Sequence, residues 1–352
     1  MLDQKDFFML PPVAIAAGNV TSGPPDAEND VYSAGATYAA GDRVWYTGNV
    51  WQSLVGGNIG NTPVEGANWT DRGEVDAGAL AYNAGTTYAE DDYAIYQGAL
   101  WRSTLGSNIG NTPSVTDPNW TRQGATNRFK AFDTFLQDSA MSVGSLSWTI
   151  EVVPLVTHIA IFRPVGSTVQ ITMTDAIDGV VYDETFALID DSAITDWWAY
   201  FFEEIISADT VIAEDLPPYA GAEISVNIQA GPASNVAAGQ IVIGRALSFG
   251  TVKTGSSVGI ESYSIKDRDD FNRSIVVPRP FSDTVVFDLA IDTLSVGYVK
   301  RRLAEREALP TVYFMAGGSP YGAAAYGFFQ TFDILHSTHV IADCVLEIEG
   351  LG

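Results

Sequence analysis

Shifting the chain against itself by 50 positions lays residues 32–63 over residues 82–113 with 18 of the 32 positions identical. This duplication limits what the first third can become. The shared skeleton runs Tyr32-x-Ala34-Gly35-x-Thr37-Tyr38-Ala39, then Asp42, Tyr46, Gly48, Trp51 and Ser53, and closes on Asn58-Ile-Gly-Asn-Thr-Pro63. After one inserted residue, Asn68-Trp69-Thr70 recurs at Asn119-Trp120-Thr121. Each copy is about 43 residues long, a size at which an apolar core is marginal without staples or dense aromatic packing. Cys344 is the only cysteine, so disulfides cannot supply the staple and the aromatics must. Arg43-Val-Trp-Tyr and Asn49-Val-Trp-Gln-Ser are short β-prone runs with Thr47-Gly48 at the hairpin position, matched by Gln97-Gly98 in the second copy. Residues 31–75 and 81–125 are therefore expected to form two mini-sheets of two or three strands each.

The order Tyr38-x-x-Gly41-Asp42-x-Val44-x-Tyr46-x-Gly48-x-x-Trp51, followed by Asn58-x-Gly-Asn-x-Pro63 and Trp69, resembles the small chitin-type carbohydrate-binding modules of families five and twelve. The second copy departs at Asp91, where that family has glycine, and at Ala94 and Ile95, where the first copy has Val44 and Trp45. The resemblance implies sugar binding, and the chemistry agrees. A sugar ring stacks its C–H face on Trp or Tyr while amides and carboxylates pair its hydroxyls. The candidate contacts are Trp45, Tyr46, Trp51, Trp69, Tyr96, Trp101 and Trp120. Trp51, Trp101, Tyr46 and Tyr96, central in each copy, are read first as the core of a tiny domain and second as sugar contacts. Trp69 and Trp120 either cap that core or present a face. Trp45 alternates with Val44 and Tyr46 and is not shared by the second copy, which makes it the candidate for solvent-facing contact.

Ahead of the repeats, residues 7–17 are apolar and end in Ala-Ile-Ala-Ala, but Asp3, Asp6 and Pro11-Pro12 argue against a secretory signal. Residues 1–30 are expected instead to be an extended arm that adds to a neighbouring domain or subunit. Beyond the repeats, short β-branched runs at residues 146–153, 158–163, 168–174, 180–188, 223–229 and 240–244 predict an antiparallel β-sandwich over residues 126–250. The apolar run of residues 197–202 shows no period and is read as a strand. In residues 251–352, Asp292 as N-cap and Pro310 as stop bracket one helix, and strands are expected at residues 311–315, 328–334 and 344–348, giving a small α+β unit. The fold class is thus mainly β.

Gly255-Ser-Ser-Val-Gly-Ile-Glu-Ser-Tyr-Ser, Val277-Pro-Arg-Pro-Phe-Ser, Tyr326-Gly-Phe-Phe and Leu346-Glu-Ile-Glu-Gly-Leu resemble segments of bacteriophage tail and baseplate virion proteins. Asn127-Arg-Phe-Lys-Ala-Phe-Asp and Leu216-Pro-Pro-Tyr-Ala-Gly-Ala belong to the same resemblance, which spans nearly the whole chain. It implies a virion component, acting at the host cell surface, that shows sugar-binding modules to host polysaccharide and docks to other tail proteins, as a homo-oligomer. The net charge of −25 repels phosphate backbones and anionic bilayers, which excludes nucleic acid as a partner and favours a neutral or cation-bridged glycan. No apolar stretch reaches the ~20 residues of a membrane helix, so no membrane insertion is expected. Two alternatives stand: a purely structural tail protein whose repeats are spacers, distinguished by whether Trp45 shows its face to solvent, and a polysaccharide-degrading tail enzyme, distinguished by release of reducing ends.

Catalytic patterns are weak. Gly255-Ser-Ser-Val-Gly259 fits the nucleophile-elbow spelling, with Asp333 and His336 downstream, but that elbow needs a strand before and a helix after it. His336 and His339 fall on opposite faces of a strand and lack a third metal ligand. Glu203-Glu204 and Asp190-Asp191 diverge as neighbours, so neither makes a glycosidase pair. Asp175, Asp178 and Asp183 match no established calcium loop. The expectation is a non-enzyme without cofactor or metal.

Overall fold

The computed structural model describes residues 5–26, 30–46, 49–72, 81–190, 196–202, 206–231, 234–268, 274–279, 281–317, 323–335 and 339–351. The fold is mainly β, built from several antiparallel sheets. Among the described residues no helix is long and apolar enough to cross a membrane.

The sandwich packs a five-stranded sheet on a three-stranded one. Strands Ser145–Glu151, Thr168–Asp175 and Glu223–Gln229 of the larger sheet bury every second residue, as a sheet with one wet face must. Trp148, Ile171 and Val226 point inward and meet Ile159, Ile161, Ile241 and Ile243 of the smaller sheet in one cluster. The smaller sheet behaves differently. Strands His158–Phe162 and Gln240–Gly244 are buried at every position. Their second face, carrying Ala160, Phe162 and Val242, packs on Val312, Phe314 and Tyr326 from the C-terminal unit. Continuous apolar runs in these two strands are the sequence trace of that double burial.

The sheet of the C-terminal unit closes on itself. Strands Leu247–Val252, Asp6–Leu10, Thr311–Met315, Ala324–Leu335, Ile341–Gly350 and Phe281–Asp292 are hydrogen-bonded in that order, and Thr251 and Val252 pair with Ala290 and Leu289 to complete a six-stranded antiparallel barrel. Closure removes the exposed strand edges an open sheet would carry. Strand Ser257–Ser262 adds outside, along the first half of Phe281–Asp292. The expected domain edge at residue 250/251 falls inside Leu247–Val252, whose ladder partners all lie in the barrel. The interior is filled by Phe7, Met9, Phe287, Leu289, Tyr313, Leu346 and Ile348.

The arm stitches these units together. Residues Asp6–Leu10 form a barrel strand between Leu247–Val252 and Thr311–Met315. Pro12 then bridges to Gly244 of the small sheet, and Val20–Ser22 adds an edge strand to Ser145–Glu151 of the large sheet. One segment of fewer than 20 residues thus touches three sheets, which ties the barrel to the sandwich through backbone hydrogen bonds as well as through apolar packing.

Among the described residues three short α-helices punctuate the chain. The first, α1 (Asn127–Lys130), opens the sandwich. The second, α2, covers Trp197–Phe202, where a strand was expected. Asp196 explains the correction, because its Oδ1 accepts from the Trp198 N–H at 2.9 Å and so caps a helix start. The third, α3 (Val296–Ala304), lays Val299 and Leu303 into the barrel cluster. Asp292 is not its N-cap. It ends the preceding strand, its Oδ1 accepting from the Leu294 N–H, and the helix begins at Val296 after Ser295.

Candidate functional site

The two repeats fold alike, and the residues they share make matching hydrogen bonds. Asn58 Nδ2 donates to Ser53 Oγ at 2.9 Å, and Asn108 Nδ2 to Ser103 Oγ at 3.0 Å. Asn61 and Asn111 each donate to the preceding asparagine's Oδ1 at 2.8 Å. Trp69 Nε1 donates to the Asn61 carbonyl and Trp120 Nε1 to the Asn111 carbonyl, both at 2.8 Å. The Tyr38 and Tyr88 hydroxyls accept from the backbone of Ser33 and Asn83 at 2.7 and 2.8 Å. Asp42 and Asp92 accept from the Ala39 and Ala89 N–H groups. The residues the duplication retains therefore hold up the module: with cores this small, each buried polar group must find a partner and each aromatic must fill space.

Burial sorts the seven aromatic candidates. Trp69 is 1% exposed, Trp120 4% and Trp101 6%; these three are core and present no open face to a ligand. Trp45, Tyr46, Trp51 and Tyr96 are half-buried. Strand alternation then separates Trp45 from the others. In Arg43–Tyr46 the side chains of Val44 and Tyr46 share a face with Trp51, while Trp45 lies on the opposite face, paired across the strands with the buried Val50. Trp45 Nε1 is buried without a hydrogen-bond partner, so this indole does not stand clear in solvent.

On the other face, repeat 1 brings four chemically apt side chains together. Tyr46 is paired with Asn49 and Trp51 with Asp71 across neighbouring strands, all on one side of the sheet. Asn49 Nδ2 donates to Asp71 Oδ2 at 2.7 Å, and Trp51 Nε1 donates to the Tyr46 carbonyl at 3.2 Å. Tyr32 props Tyr46 edge-on, with ring centroids 5.5 Å apart. Two aromatic surfaces thus flank an amide and a carboxylate. The sequence reading weighs both aromatics as core and as sugar contacts and names neither Asn49 nor Asp71, whose change between the copies is the available signal. Repeat 2 has Ala99 opposite Tyr96 and Arg122 opposite Trp101, with a bulge between, and has no such polar pair.

Repeat 2 is anchored where repeat 1 bears its aromatic pair. Gln97 and Gly98, with φ of 50° and 74°, make a two-residue hairpin turn, and the Phe129 ring of α1 lies against Gly98. A β-carbon at Gly98 would come within 2.5 Å of that ring, and Thr126 N–H donates to the Gly98 carbonyl at 3.0 Å. The matching turn of repeat 1, Thr47-Gly48, lies outside the described residues. Asp91 does not disturb the second copy: its φ of 68° keeps the left-handed conformation that Gly41 adopts at 97°.

The described residues of the catalytic patterns make the following contacts. Ser256 Oγ donates to the Lys253 carbonyl and accepts from the Asp288 N–H at 3.0 Å, and Ser257 opens a strand, so no strand–elbow–helix forms. Asp175 Oδ1 accepts from the N–H groups of Ile177 and Asp178, which holds the carboxyl below its usual range. Asp178 accepts from the Tyr219 hydroxyl and Asp183 from Gln170, so the three acids serve three different contacts. Among the described residues no three potential ligands gather for a metal. His336, Asp191, Glu203 and Glu204, and the side chain of Asp190, lie outside the described residues. Comparison with models of protein families gave no match, and comparison with curated proteins gave none either.

Proposed function

We propose that this chain is a non-enzymatic bacteriophage tail or baseplate protein in which repeat 1 contacts host cell-surface polysaccharide and repeat 2 spaces it from a β scaffold. The observation that carries this reading is the Tyr46, Asn49, Trp51 and Asp71 group on one face of a small sheet. Stacking surfaces beside a paired amide and carboxylate suit a neutral sugar, which needs C–H contact and hydroxyl pairing but no ionised partner. The phage setting rests on the resemblance of the scaffold segments. The second reading, repeats as spacers, is favoured for repeat 2 by its buried Trp101 and its docking on Phe129, and in repeat 1 by Trp45, whose indole does not stand clear in solvent.

One stacking site is worth roughly 1–3 kcal/mol by analogy with base stacking, so useful adhesion requires many copies at high effective concentration. The test is binding of the full chain, displayed multivalently on beads, to host cells and to a panel of neutral glycans. Trp51→Ala and Asn49→Ala should each abolish capture, and Tyr96→Ala should not. Equal capture by wild type and Trp51→Ala would move the whole repeat region to a spacer role, and release of reducing ends would make the protein an enzyme.

A further inference from the structure

Where the sandwich meets the barrel, a cleft of about 550 Å³ opens, within the roughly 300–1,000 Å³ of small-ligand sites. Its floor is aromatic: Phe162 of the sandwich stacks on Tyr326 of the barrel, ring centroids 5.7 Å apart. Its walls carry ionisable groups from three elements. Arg163 follows strand His158–Phe162, Asp209 precedes strand Thr210–Ala213, and Asp283 lies in barrel strand Phe281–Asp292.

All four polar side chains face this one cleft, yet among the described residues those of Arg163, Asp209, Asp283 and Tyr326 make no hydrogen bond and no ion pair. Tyr326 is only 3% exposed, and a phenol buried that far normally finds a partner in its own chain. Arg163 is held at a φ of 50°, a left-handed conformation that non-glycine residues keep mainly at ligand and switch sites. Its N–H donates to the Asp209 carbonyl at 2.7 Å, which fixes where both side chains start. The three charges also feel one another. Partial burial pushes the Asp283 carboxyl up, the Arg163 guanidinium opposes that shift and Asp209 adds to it. They stand too far apart to pair directly and close enough to act on one ionisation, a spacing that a ligand carrying both charges would bridge.

We propose that this cleft binds an α-amino acid with an apolar side chain, its carboxylate on Arg163, its ammonium between Asp209 and Asp283, and its side chain towards Ile260 and Phe281 at the rim. A guanidinium fork gives two parallel N–H bonds to a carboxylate, and the three donors of an ammonium match two carboxylates and the Tyr326 hydroxyl. Ile260 and Phe281 are 71% and 46% exposed, so the rim has apolar area left to cover. A neutral sugar, which suits repeat 1, is the poorer occupant here, because it brings no counter-charge to three ionised groups losing water. A simple anion would meet two carboxylates, and a simple cation the guanidinium. The site is separate from the repeats, and the inference does not depend on the sugar reading.

The experiment is calorimetric titration of the full chain with L-phenylalanine and L-leucine, and with two truncated probes: phenethylamine, which lacks the carboxylate, and 3-phenylpropionate, which lacks the ammonium. At least one amino acid should bind, and each truncated probe should bind at least ten-fold more weakly than L-phenylalanine. Arg163→Gln should weaken L-phenylalanine at least ten-fold and leave phenethylamine no weaker, since that probe never used the guanidinium. Asp283→Asn should weaken L-phenylalanine and strengthen 3-phenylpropionate, from which it removes a repulsion. These side chains bond to nothing else in the chain, so the variants should keep the wild-type melting temperature; Tyr326→Phe, which loses only a hydroxyl, serves if either unfolds and should cost several-fold in affinity. Absence of binding by both amino acids at millimolar concentration overturns the proposal. So does equal weakening of every probe by both charge variants, and so does binding of cellotriose to the Trp51→Ala chain in place of the amino acids, which would make the cleft a sugar site.

Discussion

A β-carbon placed on Gly244 would lie 2.2 Å from the carbonyl oxygen of Pro11. Real side chains do not approach that closely, so the arm can cross the end of the small sheet only over a glycine. Gly244→Ala should cost about 1–3 kcal/mol through forced displacement of the arm, read as a lower denaturation midpoint and faster proteolysis within residues 11–19. Gly297, on exposed α3, meets nothing within 4 Å, and Gly297→Ala should gain up to about 1 kcal/mol.

Trp69 and Trp51 should separate stability from binding. Trp69→Ala empties a core position 1% exposed and leaves the Asn61 carbonyl without its indole donor, at a cost of about 3–5 kcal/mol. Amide exchange should show repeat 1 opening while the sandwich and barrel stay protected. Trp51→Ala, at a half-buried position that packs on the edge of the same core, should cost less stability than Trp69→Ala, leave repeat 1 folded and lose glycan capture.

At Asp91 the backbone φ is 68°, which asparagine, aspartate and glycine tolerate better than alanine. Asp91→Gly should stay within about 0.5 kcal/mol of wild type, because the Arg102 contact it loses is an exposed ion pair of little worth. Asp91→Ala should cost on the order of 1 kcal/mol, and thermal melts of the two variants would separate backbone strain from charge.

A half-buried carboxyl and a buried imidazole should tilt stability in opposite directions between about pH 4 and 6.5. Burial pushes the Asp133 carboxyl up to about 6, against the bond it accepts from Phe135 N–H. The folded state then holds the Asp133 proton where the unfolded chain, near 3.9, has lost it, so stability falls as pH rises from about 4 to 6. Asp133→Asn should flatten that slope and be the more stable protein at pH 8, by on the order of 1 kcal/mol after allowing for solvent screening at a partly exposed site.

His158 works the other way. Its ring lies 5.4 Å from Phe8 and 5.7 Å from Phe314, and burial holds it below its ordinary value. The unfolded chain takes up a proton first, so stability is lost as pH falls below about 6.5. His158→Gln should remove that loss, measurable as a flatter dependence of melting temperature on pH.

Much of the scaffold was legible because strand periodicity is a local signal. The strands at Glu223–Gln229, Gln240–Gly244 and Thr311–Met315 have the bounds that the pattern of β-branched residues and turns predicts. Trp197–Phe202 was not legible by period, since a continuous aromatic run has none, and only the Asp196 cap distinguished helix from strand. At the candidate site the aromatic types were legible but their burial was not: Tyr46 and Trp51 are half-buried, while Trp69, Trp101 and Trp120, of the same types, are core.

The sequence by itself determined the duplication, the mainly β class, the aromatic cores of the repeats and the acidic surface, because these follow from residue identity and short-range spacing. Only the tertiary structure decided that Asp6–Leu10 completes a barrel with strands more than 230 residues away. It alone placed Trp51 on the Tyr46 side of the sheet and drew Asn49 to Asp71. Pairing register and strand closure depend on contacts between distant segments, and no local pattern encodes which edge a strand will meet.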